Sequence, residues 1–409
     1  MNRTCIIVAL ALLPVWRTPA VAQDVAQDHE RDLALVGGTV YPSPTAPALP
    51  DATVLIHGRR IVAVGKRSEV AVPKSAQVID CTGKFVTAGF WNSHVHFETG
   101  WQNADSASAA QLETHMQEML TRWGFTSVWD LGSNPQNTLT IRKRVESGDV
   151  PGPRILMAGD IFPKNGHPVY LPPEMQLIEA ATPAEADSEA RNYLQMGLDG
   201  IKLFTGAFMG NKPTINMDTA IVKAAVDVAH AQGKPVFTHP QNRAGQDNAV
   251  AGGVDVLAHT IPTEGAYTTS ELAEMKRRHV ALVPTLTLWT VVFPNPDTQN
   301  KPTVDAGVNE LKQYSTRGGT ILFGTDVGFQ AVYDSAREYE MMGRAMSWRQ
   351  ILASLTSAPS DFFKMKNEGR VEKGMKADLV VLDADPAQDV RNFAKVAETI
   401  RDGQVIYTK

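Results

Sequence analysis

The stretch GFWNSHVHFETG (residues 89–100) sets His94 and His96 on either side of one valine. Alternate side chains of a β-strand share a face, so a strand here points both imidazoles the same way. A single His-x-His pair suits a core as well as a metal. What decides is whether this stretch begins a series.

Reading outward, eight short apolar runs follow one another: FVTAGFWNSHVHF, SVWDLG, RILMAGDIF, GIKLF, PVFTHP, VLAHT, ALVPTL and ILFGTD. Each is nearly continuous in apolar residues and ends in polar ones, as a strand covered on both faces requires. Helical stretches separate them. In MDTAIVKAAVDVAHAQGK, Ile221, Ala224, Ala225, Val228 and Ala229 form one stripe and Gly233 supplies a stop. Eight such units over roughly 250 residues predict an α/β fold of the (β/α)8 TIM barrel type over residues 85–365, with an open doubly wound sheet as the competing architecture. Residues 23–84 and 366–409 carry β-branched runs broken by glycine and charged turns. They read as two parts of one small β-sandwich formed from both chain ends.

The 409 residues are 43% hydrophobic and 20% charged, with a net charge of −5. No long basic run is present, which argues against nucleic acid as partner and for a small molecule. Residues 1–22 combine Arg3, an apolar run and Ala20-Val21-Ala22, the pattern of a cleavable signal peptide. The expectation is a periplasmic or secreted protein cut after Ala22. The apolar run is too short for stable membrane insertion. Cys5 leaves with the signal, so Cys81 remains alone and no internal disulfide is expected. A homo-oligomer is compatible with the sequence.

The unusual polar residues fall near the ends of the predicted strands. His94 and His96 belong to the first, Lys202 to the fourth, His239 to the fifth, His259 to the sixth and Asp326 to the eighth. Strands two, three and seven contribute none. Carboxyl ends of barrel strands converge on the functional face. Imidazole and carboxylate are the usual ligands of zinc and neighbouring divalent metals. Lys202 is the odd member, because burial and nearby cations both disfavour its charge. As a neutral amine it reacts with carbon dioxide to give a carbamate, whose two oxygens suit a bridge between two metals.

On these residues, and on the closing EGRVEKGMKADLVVLDADP (residues 368–386), the chain resembles the amidohydrolase superfamily from Leu33 onward, in the subtype with a binuclear metal centre and a carboxylated lysine. The resemblance implies two divalent ions, zinc being expected. His94, His96 and Asp326 would hold the buried ion, His239 and His259 the exposed one, and carboxylated Lys202 would bridge them. It implies amide or peptide C–N hydrolysis by a metal-bridging hydroxide, with Asp326 as catalytic proton carrier. The loop GDIFPKNGHPVY (residues 159–170) resembles the branch with imidazolonepropionase-like enzymes, metal-dependent prolidases and ochratoxin amidases. There His167 would be catalytic or substrate-binding, with Tyr170 a weaker substrate contact.

Substrates within that branch are dipeptides, N-acyl amino acids and aromatic amides such as ochratoxin, all carboxylate-bearing. Lys164 or Arg243 would pair with the carboxylate and Trp101 or Trp289 cover an apolar group. VVFPNPDTQNKPTVD (residues 291–305) reads as a lid. Two other readings stay open. One is deamination or cyclic-amide hydrolysis at a single metal, against which HPQN (residues 239–242) offers asparagine where a proton-shuttling glutamate is needed. The other is a metal-binding protein without catalysis. His29, His57, His115, His230 and His279 read as structural or solvated.

Overall fold

The computed structural model describes residues 32–98, 100–292 and 301–409. The signal segment, His29 and residues 293–300 of the expected lid lie outside the described residues. Eight strands run parallel and in chain order around one sheet: Phe90–Val95, Phe125–Asp130, Arg154–Pro163, Gly200–Phe204, Val236–His239, Val256–Ala258, Ala281–Val283 and Thr320–Ile321. Helices lie between most consecutive pairs, for instance Thr219–Ala231, which buries Ile221, Val222, Ala225, Val226, Val228 and Ala229. The fold is a (β/α)8 barrel with a separate sheet made by the two chain ends.

The first and eighth strands are not joined by a regular ladder. Their seam is closed by three backbone bonds: Ser93 N to Phe323 O at 2.7 Å, Asp326 N to His94 O at 2.9 Å and His96 N to Val327 O at 2.8 Å. Below that seam the interior is filled. Trp91, Trp129, Leu131, Ala158, Phe237, Val256, Ala258, Ala281, Val283 and Leu322 form one buried cluster, and Phe363 packs on Trp91 and Trp129 from the helix Ser357–Phe362 and its following turn. The fourth strand departs from this filling. A Cβ on Gly200 would stand 3.3 Å from the Trp129 ring, and two residues on, where an apolar side chain would continue the layer, stands Lys202.

One expectation is corrected here. Phe85–Ala88, read from the sequence as the start of the first barrel strand, belongs to the other sheet. It pairs antiparallel with Leu379–Leu382 and parallel with Thr39 and Val40. Gly89 ends it because a side chain there would strike Thr126 at 2.2 Å. The apolar run was continuous across that break, so periodicity gave no boundary.

The second sheet has eight strands and draws on both chain ends, with one core holding Leu35, Val54 and Ile56 beside Leu379, Val381 and Ile400. In Leu379–Leu382 alternate residues serve different cores: Leu379 and Val381 face this sheet's interior, Val380 and Leu382 the large barrel cluster. The junction is also ionic. Arg154, at the start of the third barrel strand, reaches Glu368 at 2.9 Å and Asp378 at 3.3 Å, all three side chains being mostly buried. Residues 301–305 of the expected lid form the first turn of the helix Lys301–Thr316. Among the described residues no helix is long and apolar enough to cross a membrane.

Removing one partner of a buried ion pair strands the other charge. Arg154→Ala is expected to destabilise the protein by about 3 kcal/mol, read as a lower midpoint in denaturant unfolding. Arg370→Ala, whose partner Asp361 is solvent-exposed, is expected to cost under about 1 kcal/mol.

Candidate metal centre

The seam bonds place the first strand's histidines against Asp326. His94 Nε2 and His96 Nε2 lie 3.1 and 3.0 Å from Asp326 Oδ1, and 3.2 Å from each other. These three lone-pair atoms form a buried group able to hold a metal ion. The wider cluster continues through the imidazoles. Ring centroids are 4.7 Å apart from His94 to His259 and 4.8 Å from His259 to His239. Lys202, fully buried, lines the same cavity, with its Nζ 5.5 Å from the Phe204 ring, on which His239 stacks. All six residues named from the sequence as ligands therefore meet at one end of one cavity.

Local backbone makes this meeting possible. Strand pairing shifts register between Asn92 and Val95, so Trp91 joins the interior cluster while His94 and His96 both reach the cavity. A one-residue shift exchanges the faces of a strand. Asn92 holds the shifted segment: its amide donates to Thr325 Oγ1 at 2.8 Å and its carbonyl accepts from the backbone of His94 and Thr325 at 3.2 Å. His259, Thr285 and Asp326 have φ of +80°, +45° and +60°. Such conformations cost on the order of 1–3 kcal/mol each for residues with side chains and concentrate at functional sites. Gly328, with φ +103°, lets the chain pass His96, since a Cβ there would lie 1.9 Å from the His96 carbonyl oxygen.

Hydrogen bonds orient the imidazoles. His259 Nδ1 lies 2.6 Å from Thr285 Oγ1, which leaves Nε2 for a ligand. His239 Nε2 donates to Gln241 Oε1 at 3.0 Å, which leaves Nδ1. Partners of this kind fix the tautomer of metal-binding histidines. By contrast His94 Nδ1 and His96 Nδ1 are buried without hydrogen-bond partners, although buried polar atoms are normally paired. A donor set of imidazole nitrogens and carboxylate oxygen, dense and under-satisfied, fits a divalent cation.

The electrostatics follow from burial. Desolvation pushes His94 down to about 3 and His239 down to about 4, the latter helped by the Lys202 charge. Burial also disfavours charge on His96, but the Asp326 carboxylate outweighs it and lifts this group to about 9. Of the metal-free imidazoles described, His96 is thus the one held protonated at neutral pH, facing the Asp326 carboxylate. Asp326 itself is held well below the carboxylate range because the imidazoles outweigh its desolvation. Desolvation lowers Lys202 to about 8, against the pull of Asp326 and Asp160.

The other expected residues divide. Tyr170 and Trp289 line the cavity, Tyr170 edge-on to Phe329 with ring centroids 5.5 Å apart. His167 does not line it: its two ring nitrogens lie 3.2 and 3.3 Å from the carbonyl oxygens of Pro168 and Met175 in its own loop. Arg243 is also elsewhere. Its guanidinium binds Glu310 at 2.5 Å and lies over the Tyr267 ring at 4.1 Å. Lys164 pairs with Glu179 at 3.0 Å on the surface, and Trp101 packs edge-on to Phe97 in the core. Asn242 caps the helix Arg243–Gly252, accepting from Gly245 N at 2.7 Å.

Sequence reasoning missed Asp160 and Glu98, both of which line the cavity. The third strand, expected to contribute nothing, carries Asp160 directly opposite Lys202 in the parallel register. Burial raises Asp160 to about 6. The signal was present as a lone acid in the apolar run RILMAGDIF.

The sequence profile of the amidohydrolase family matches residues 85–406. The dihydroorotase of Lactobacillus johnsonii is 23% identical over 444 residues, spanning 91% of this chain and 98% of that protein. The crystal structure of a candidate prolidase from Bifidobacterium longum superposes with a TM-score of 0.79 at 26% identity, covering 92% of this chain and 95% of the other. The ochratoxinase of A. niger superposes at 0.74 with 17% identity, covering 92% and 96%. The chain belongs to the amidohydrolase family and is a hydrolase acting on carbon–nitrogen bonds.

Gly328→Ala is expected to leave a folded protein that has lost most bound metal, because the His96 carbonyl must move to admit a methyl group. Metal content by mass spectrometry together with circular dichroism checks it. Near-complete metal loading would mean that the seam tolerates that movement.

Proposed function

We propose that the protein hydrolyses the C–N bond of a small amide or peptide-like molecule at a two-metal centre held by His94, His96, Lys202, His239, His259 and Asp326. The reading is carried by the convergence of His94 Nε2, His96 Nε2 and Asp326 Oδ1 at the closed end of a cavity that also receives Lys202, His239 and His259. Membership of the amidohydrolase family and the likeness to a candidate prolidase support an amide-type bond as the target.

Divalent ions bound there supply water acidified to near neutrality and polarisation of a carbonyl oxygen. The rest falls to the chain. Lys202, lowered to about 8 by burial, is neutral in part near neutral pH and more so above it, and that amine would form the carbamate, putting an anion where the ammonium stood. Gln241 and Thr285 hold His239 and His259 in the tautomers that present Nδ1 and Nε2. Asp326 is ionised at neutral pH and is proposed to accept the proton of the attacking water and deliver it to the leaving nitrogen. Phe204, stacked on Phe162 and His239, excludes solvent from one side of the cluster. Asn242, engaged as a helix cap, has no part in proton transfer. Zinc is the ion proposed, on the nitrogen-rich donor set. Export is proposed on the signal-like residues 1–22, with cleavage after Ala22 read by N-terminal sequencing of protein from a secreting host.

Lys202→Ala is expected to lose most metal and turnover, and full metal occupancy with normal turnover would remove the carbamate from the reading. Asp326→Asn is expected to keep the fold and lower kcat by about 10²-fold or more. Metal uptake is expected to strengthen with pH. His96 at about 9 holds a proton that an ion must displace, and Lys202 at about 8 becomes neutral over the same range. Chelator competition between pH 6 and 9 checks the sign, and affinity falling with rising pH would contradict it.

A further inference from the structure

We propose that the substrate is a neutral amide with an aryl or branched apolar group and no carboxylate, a proposal that rests on reading this site as an amide hydrolase. The cavity above the cluster measures about 570 Å³, room for a molecule of modest size. Lys202 is the one lysine or arginine among its described lining residues, and it sits at the closed end among the histidines. The acids outside the proposed ligand set are Glu98 and Asp160.

The two cations that the sequence suggested as carboxylate anchors are engaged elsewhere, Arg243 with Glu310 and Lys164 with Glu179. Outside the proposed ligand set a carboxylate entering the cavity would therefore meet Glu98, Asp160, the neutral polar groups of Tyr170, Gln241 and Gln330, and hydrocarbon, without the guanidinium or ammonium that normally compensates its desolvation. The walls point to the opposite chemistry. Phe162 and Phe204 stack at 3.9 Å between centroids, and Phe208, Leu288 and Val332 continue the apolar lining.

The mouth carries the second observation. Among the described residues eight large hydrophobic side chains are exposed, and four of them, Tyr170, Met175, Val292 and Phe329, line this one cavity at 37–40% exposure. Two more, Val169 and Ile178, flank the same segment as Tyr170 and Met175. Exposed apolar side chains concentrated around one concave opening mark a site for an apolar ligand.

The test uses pairs in which a carboxylate is replaced by its isopropyl isostere: hippurate against N-isobutylbenzamide, and 4-acetamidobenzoate against 4-isopropylacetanilide. With the zinc-loaded protein, kcat/KM for the neutral member is expected to exceed that of the acid by about a hundredfold or more, the order of cost of an uncompensated buried charge. Met175→Arg, which brings a guanidinium to the mouth, is expected to narrow or reverse that ratio. Equal or better turnover of the acids by the unaltered protein would overturn the proposal. Calorimetric binding of the same four compounds to Asp326→Asn separates the two readings. If nothing is hydrolysed, amide hydrolysis fails, while tighter binding of the neutral members still supports this proposal and tighter binding of the acids overturns it.

Discussion

The molecule depends on how its barrel closes. Seven strand pairs are ordinary parallel neighbours, but the last junction, between Phe90–Val95 and the segment after Thr320–Ile321, is made by three backbone bonds around His94, His96 and Asp326. The same bonds that shut the barrel bring two imidazole nitrogens and one carboxylate oxygen to about 3 Å from one another. Closure and metal site are one piece of geometry. The shifted pairing at Asn92, the left-handed Asp326 and the glycine at 328 all serve that junction.

Burial then sets the chemistry. In a closed, low-dielectric end of the barrel the imidazoles are driven neutral and only His96 keeps a proton, because Asp326 faces it. Neutral imidazole and ionised carboxylate are the forms that bind cations. The same desolvation brings Lys202 within reach of its neutral form. Outside the ligand set the cavity is lined mostly by hydrocarbon and aromatic faces, with Glu98, Asp160, Gln241 and Gln330 as the charged and amide side chains among its described residues.

Much of this was legible in the chain. Eight apolar runs in order, each ending in polar residues, specified parallel strands covered on both faces, and their number favoured a barrel over an open doubly wound sheet. The six ligand candidates were legible because histidine, lysine and aspartate are out of place in such runs. Asp160 was equally out of place and was missed, since a single acid without a partner in sequence gives no sign that Lys202 stands beside it. His167, Lys164 and Arg243 were misplaced for the opposite reason. A polar residue in a loop after a strand looks available until its partners, here the carbonyl oxygens of Pro168 and Met175, Glu179 and Glu310, are known.

By itself the sequence determined the eight strands alternating with helices, the β-rich character of both chain ends and the identity of the polar residues near the strand ends, because periodicity and residue type are local properties. Only the tertiary structure decided where the barrel begins, which face the two histidines of HVH take, and what each charged side chain pairs with. Those depend on Gly89 meeting Thr126, on a one-residue shift held by Asn92 and Thr325, and on partners tens to hundreds of residues away. Contacts of that range leave no period in the chain.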